Sequence, residues 1–460
     1  MAEKEKILYV VHCIDTEGPL YESVSATFER LKDAFGIDLK PSKETLKKLQ
    51  DKEIDLGSKE TAEAVATLVE PKRLYYNDTW TKIDAMMDNI TSNKFRKEHG
   101  DSFGGGWIYN WFCVDHVGLT GLNPRRRAEG YHTIYDHYAE YNQEHNIKAD
   151  LIQWHFHPQP IIKDMHRSGT AFLYSSIIFK ILARKIIDRN WFPTVYRPGF
   201  HTERPDSNWF LEMWVPFDYG NQSTKGKATD QPDLDKGRFG DWRFAPLKWS
   251  PYHPDIYDYQ KQGSCKRYIT RCLNMDARLR ELKEDDVRDA FKEAQKNGKA
   301  LLSFTNHDFR DMASEVDKIW KMIDKVSKEK EFQDVKFKIV DAVEGMRKSL
   351  DLEKTSAPEF EVSLEKKDEK SSPLLRVKAK NDIFGPQPFL AIKTKAHEYI
   401  WENFDFQPGN EWTYTFDFNT IDIDAVEKIG VAANNIYGIA EIVVLDVKTG
   451  KTKRTVWNDS

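Results

Sequence analysis

Two histidines separated by one residue, His155 and His157, close the segment Leu151-Ile152-Gln153-Trp154-His155-Phe156-His157-Pro158. The segment reads as a short buried strand running into a proline. Side chains two apart on a strand share a face, so both rings point the same way at the strand's C-terminal end. Imidazole is the commonest protein ligand for zinc and related metals. The pair is therefore a candidate metal site; the plainer alternative is two satisfied polar groups beside an aromatic cluster.

Four other residues stand in comparable places. Asp15 and Glu17, in Ile14-Asp15-Thr16-Glu17-Gly18-Pro19, are also two apart and share a face. One carboxylate could bind a metal while the other serves as general base, because a cation and a like-charged neighbour drive their pKa values apart. Either acid would complete a two-histidine, one-carboxylate set, which leaves a position open for water as catalytic zinc sites do. A turn or helix cap before Gly18-Pro19 is the other reading of these acids. Arg197, in Tyr196-Arg197-Pro198-Gly199, could hold a base carboxylate ionised or form a plain structural ion pair. His307, in Thr305-Asn306-His307-Asp308, could be a general acid held by Asp308 or another carboxylate, against a capping or core role. His12, His132, His137, His145 and His166 lack such a setting and read as structural or surface residues.

The composition narrows the class. The chain has 460 residues, enough for two or three domains. With 69 basic against 74 acidic residues, its net charge of -5 offers no electrostatic case for nucleic acid or an anionic membrane. Aromatic residues make up 13%, enough to supply sugar-stacking platforms as well as cores. Cys13, Cys113, Cys265 and Cys272 are dispersed, which argues against a disulfide scaffold or a cysteine zinc site; Cys13 and Cys113 read as buried thiols. The apolar run 7–11 is too short for a signal-peptide core, and no stretch approaches membrane-spanning length. A cytoplasmic location is the resulting expectation.

The elements that must position these residues alternate. Strands are expected at residues 7–14, 107–114, 151–157, 194–200 and 300–307. Helices are expected at 43–52, 80–90, 133–145, 170–189 and 279–297, with a polar helical excursion at about 23–105 and a loop-like stretch at 221–263. Such alternation indicates an α/β fold with a mainly parallel sheet, barrel or doubly wound, whose ligands sit at the C-terminal strand ends. Asp15, Glu17, Asp115, His116, His155, His157, Arg197 and His307 all fall at such ends. From residue 354 the texture changes to short alternating segments separated by turn residues and a charged run at 365–372, the pattern of a β-sandwich. The expected organisation is thus 1–353 and 354–460.

These motifs, in this order, resemble the NodB-homology polysaccharide deacetylases. Ile14-Asp15-Thr16-Glu17-Gly18 looks like their first motif, Trp154-His155-Phe156-His157-Pro158 the second, Tyr196-Arg197-Pro198-Gly199 the third and Phe304-Thr305-Asn306-His307 the last. The resemblance covers residues 6 to 350. It implies a distorted (β/α) barrel that uses a divalent metal, zinc first, to remove acetyl groups from N-acetyl sugars. It further implies Asp15 as base, Glu17 as metal ligand beside His155, Arg197 as the group orienting the base, and His307 as acid. Gln159 stands where the family's second histidine is usual, which makes His157 the candidate second imidazole; Glu17 stands where aspartate is common.

A carbohydrate substrate, no nucleic acid, no membrane span and a homo-oligomer are the partner expectations. The alternatives are a catalytically silent glycan-binding protein, using aromatics such as Trp401 and Trp412, and a hydrolase of a non-sugar amide or imide on the same fold.

Overall fold

The computed structural model describes residues 5–20, 22–115, 130–157, 172, 176–226, 241–275, 281–366, 368 and 371–459. Positions 116, 159 and 166, a histidine, a glutamine and a histidine singled out above, lie outside them.

The first sheet is entirely parallel: β1 (Lys6–Thr16), β2 (Asn110–Val114), β3 (Leu151–Phe156), β4 (Val195–Pro198), β5 (Phe217–Asn221), β6 (Tyr268–Arg271), β7 (Leu273–Asn274), β8 (Lys299–His307) and β9 (Val335–Ile339). Their order is β6-β5-β4-β3-β2-β1-β8-β7, and β9 lies along the first half of β1. Only Cys272 separates β6 from β7; β6 pairs with β5 and β7 with β8, so the sheet curls into a nearly closed barrel. This is the expected distorted α/β barrel.

Burial on both faces explains the apolar runs of the strands. In β1, Tyr9, Val11 and Cys13 join Phe112, Val195, Phe217, Tyr219 and Leu301 in a core inside the barrel. The alternate residues Leu8, Val10 and Ile14 join a larger core under the surrounding helices. Period two then carries Asp15 along the inward row, together with His155 above Leu151, Arg197 above Val195 and His307 above Leu301. Pairing levels them: Asp15 lies opposite His307 and His155 opposite Arg197.

Between β1 and β2 run helices Val24–Phe35, Lys43–Gln50, Lys59–Leu68, Trp80–Ile90 and Asn93–Glu98. Each begins at a Ser or Thr (Ser23, Ser42, Ser58, Thr79, Ser92) whose side chain accepts a backbone N–H of the first turn. Two of the element boundaries that depart from expectation have a visible cause. The strand expected from residue 107 begins at Asn110, because Arg96 donates to the Trp107 carbonyl and Tyr109 N–H donates to Asp150, taking those groups out of the ladder. The helix expected from residue 279 begins at Glu284, because Glu281 bridges to Asn274 and Leu282 N–H donates to the Asn274 carbonyl.

The C-terminal strands are β10 (Phe360–Glu365), β11 (Leu374–Ala379), β12 (Phe389–Thr394), β13 (Tyr399–Glu402), β14 (Asp405–Gln407), β15 (Glu411–Thr415), β16 (Val426–Asn434), β17 (Ala440–Asp446) and β18 (Thr452–Trp457). They form antiparallel sheets β10-β11-β15-β14 and β13-β12-β16-β17-β18, with Leu375, Val377, Ile392, Trp412, Val431 and Val443 packed between them. The five-stranded sheet lays its other face on helix Ser176–Arg189. The Asn434 side chain bonds Thr194 and the carbonyls of Pro193 and Trp214, just before β4 and β5 begin. The sandwich is therefore joined to the flank and the N-terminal end of the barrel, away from the strand ends that carry Asp15 and His155.

Among the described residues, no helix is long and apolar enough to cross a membrane. All four cysteines are free and buried.

Candidate active site

At the C-terminal mouth of the barrel the structure brings together all six residues singled out by spacing. His155 is 1% exposed and its orientation is set from behind: Nδ1 faces the Arg197 carbonyl at 3.0 Å. A carbonyl only accepts, so Nδ1 carries a proton and Nε2 is the nitrogen turned into the site. It faces Nε2 of His157, 3.0 Å away. Glu17 Oε1 lies 3.3 Å from His157 Nε2 and 3.8 Å from His155 Nε2. The three donor atoms all fall within 4.8 Å of one another, and no other such His, Cys, Asp or Glu trio occurs among the described residues.

Two nitrogens and an oxygen converging on one point, with one imidazole held by a carbonyl, could hold a metal ion. Of the two acids left open as metal ligand by spacing, Glu17 belongs to the trio and Asp15 does not. Gly199 makes room for the second imidazole: a Cβ there would sit 2.4 Å from His157 Cδ2 and 2.7 Å from its Cα. The third motif thus makes space for the second, a relation that strand periodicity does not reveal.

Asp15 is 2% exposed and engaged in a fork with Arg197, which is wholly buried. Nε donates to Oδ1 at 2.5 Å and Nη2 to Oδ2 at 3.0 Å. Arg197 is itself held by the Tyr219 carbonyl, 2.8 Å from Nη1, and its Nη2 lies 3.3 Å from His201 Nδ1. Burial opposes ionisation of Asp15, but Arg197, with His155 and His307 nearby, outweighs it and holds the carboxyl well below the usual range. Asp15 is a carboxylate at neutral pH.

His307 places Nε2 3.9 Å from Asp15 Oδ2 and 3.8 Å from Glu17 Oε1. A quarter of its side chain reaches solvent, yet the protein packed around the ring pulls its pKa down to about 3, against the pull of Glu17 and Asp15. The ring is neutral at pH 7. Its Nδ1 has no hydrogen-bond partner among the described residues.

Two sequence expectations are corrected here. Asp308 does not hold His307: its carboxylate accepts from the backbone N–H of Glu17 and Gly18 and from the Tyr138 hydroxyl. Neighbours in a strand point to opposite faces, so the acid next to an inward histidine cannot reach it. Asp115, on the outward row of β2, also faces away from the site. It binds His132 Nδ1, Trp154 Nε1 and Lys185 Nζ, each at 3.0 Å.

His132 is accordingly structural, as are His12, buried between Trp107 and Asn306, His137 on Asp84 and His145 on Asp88. Trp412 lies inside the sandwich core, and Trp401 packs between Phe179, Trp214 and Phe389 where sandwich meets barrel. Trp412 is thus buried, while Trp401 is half-buried. Sequence reasoning missed the part played by Asp308 and Tyr138; their only linear signal was an acid beside a strand-end histidine.

No protein-family model matches the chain, and none of the curated proteins matches it significantly. Among solved structures, it is similar to one from Parabacteroides distasonis described as a "putative glycoside hydrolase/deacetylase". The identity is 11%, covering 98% of this chain and 84% of that one, with a TM-score of 0.34. A likeness at that level carries no argument about this chain.

Proposed function

We propose that the protein is a divalent-metal-dependent hydrolase that cleaves an amide C–N bond, removing the acetyl group from an N-acetylated carbohydrate. The observation that carries the reading is the convergence of Glu17, His155 and His157 on one point beside an ionised Asp15 and a neutral His307. The likeness of the four strand-end motifs to the NodB-homology deacetylases supports the choice of an N-acetyl sugar.

Glu17, His155 and His157 would hold the cation, zinc being the best match to an oxygen and two imidazole nitrogens. A cation bound there supplies Lewis-acid polarisation of the carbonyl and makes a water more acidic.

The protein's own groups account for the protons. Asp15, fixed in place by Arg197, accepts a proton as the water oxygen attacks the acetyl carbon. His307 cannot start as an acid, because it is neutral. It takes the proton from Asp15 across the 3.9 Å gap and passes it to the departing nitrogen as the C–N bond breaks. The products are free amine and acetic acid, which gives up water's second proton to solvent as it leaves as acetate, and His307 and Asp15 return to their starting states. Burial of Asp15 and Arg197 keeps water from screening the pair.

The test is acetate release from N-acetylated chitooligosaccharides, with metal content measured on the same samples. Wild-type protein should carry one cation and release acetate. His155→Ala should lose both, and Asp15→Asn should lose acetate release by at least about 10²-fold while keeping metal. Release unchanged in both variants would overturn the mechanism.

A further inference from the structure

Glu17 lies one residue past the end of β1. The β1–β8 ladder ends at Asp15 opposite His307. At Gly18 the chain turns through the left-handed region, φ 71°, a conformation that suits glycine.

The carboxylate of Asp308 anchors this turn. Oδ1 accepts the Glu17 N–H at 2.9 Å, Oδ2 accepts the Gly18 N–H at 2.8 Å, and the Tyr138 hydroxyl donates to Oδ2 at 2.9 Å. Asp308 and Tyr138 are both wholly buried. Asn77, from the helical excursion, ties the same corner. Its Nδ2 donates to the Asp308 carbonyl at 2.8 Å and to the Arg310 carbonyl at 3.1 Å, and its own carbonyl accepts the Leu20 N–H at 3.0 Å. The segment bearing Glu17 and the one following His307 are thereby joined.

We propose that Asp308, braced by Tyr138, is the positioning residue for Glu17: it sets where the Glu17 carboxylate stands relative to His155 and His157, and so sets metal affinity. The proposal rests on the metal reading above. Asparagine at 308 keeps size but replaces one acceptor oxygen with an NH₂ that cannot accept, so one of the two backbone N–H groups loses its partner. Outer-shell partners of metal ligands typically matter 10–100-fold in affinity.

The experiment titrates metal-free protein with cobalt(II), reading affinity by calorimetry and geometry from the visible absorption bands, alongside the unfolding temperature of the metal-free form. Asp308→Asn is expected to bind cobalt about 10–100-fold more weakly than wild type with altered bands. Tyr138→Phe, which leaves both backbone bonds in place, is expected to weaken binding less than Asp308→Asn. A folded Asp308→Asn protein with affinity within about twofold of wild type and identical bands would overturn the positioning role while leaving the metal site standing. Should Asp308→Asn fail to fold, Tyr138→Phe decides: weakened binding at an unchanged unfolding temperature supports the role, and unchanged binding overturns it. Wild-type protein that binds no cobalt would overturn the metal reading itself, and this inference with it.

Discussion

The Asp15–Arg197 fork offers the sharpest quantitative test of how the site is built. Arg197 is wholly buried and Asp15 is 2% exposed, so removing either partner leaves a charge without its counterion in a dry interior. Breaking such a pair from one side costs about 3–5 kcal/mol, whereas replacing both partners with uncharged groups often costs little. Asp15→Asn and Arg197→Met should each destabilise by about 3–5 kcal/mol, and the double variant by far less than their sum, giving a coupling of several kcal/mol.

The two single variants should also respond differently to pH. Guanidinium does not lose its proton, so the cost of Asp15→Asn should stay flat between about pH 8 and pH 5. In Arg197→Met the buried carboxyl can take up a proton instead. Its pKa rises without the arginine, and the cost should shrink as pH falls through that raised value. In the wild type Asp15 is held below its ordinary value, so its contribution is full above about pH 4 and lost only as pH falls further. Denaturant unfolding followed by the fluorescence of the 13 tryptophans reads all of this. If the two single costs add to the double within about 0.5 kcal/mol, the buried-pair argument is wrong.

Two further outcomes follow from the same geometry. His12 accepts from Trp107 Nε1 and faces Asn306 in full burial, which lowers its pKa to about 4. Since the unfolded chain takes a proton there near pH 6.5 and the folded one does not, stability should fall by about 3 kcal/mol between pH 6.5 and 4. A His12→Gln variant should lose this part of the pH dependence, and an unaltered slope would count against it. Gly199→Ala should push His157 aside, costing about 1–3 kcal/mol and weakening metal binding; unchanged unfolding and unchanged cobalt affinity would show that the close approach tolerates a methyl group.

Much of the site was legible in the linear chain because a strand has a period of two. Asp15 with Glu17 and His155 with His157 had to share faces, and proline or glycine after each pair marked a strand end. The short alternating segments late in the chain likewise announced antiparallel strands. Periodicity says nothing about which strand lies beside which, how far one is staggered, or which way the row next door faces. Strand pairing decided that Asp15 stands level with His307 and His155 with Arg197, and the turn after β1 set Glu17, not Asp15, in the trio with the histidines. The same geometry turned Asp308 and Asp115 away from the mouth, although in sequence each sits at a strand end as plausible as the rest. It placed Gly199 against His157 and carried Trp412 into the sandwich core. Local spacing is written in covalent geometry and can be read directly; contacts between residues hundreds of positions apart depend on how the barrel closes, and only the folded chain settles them.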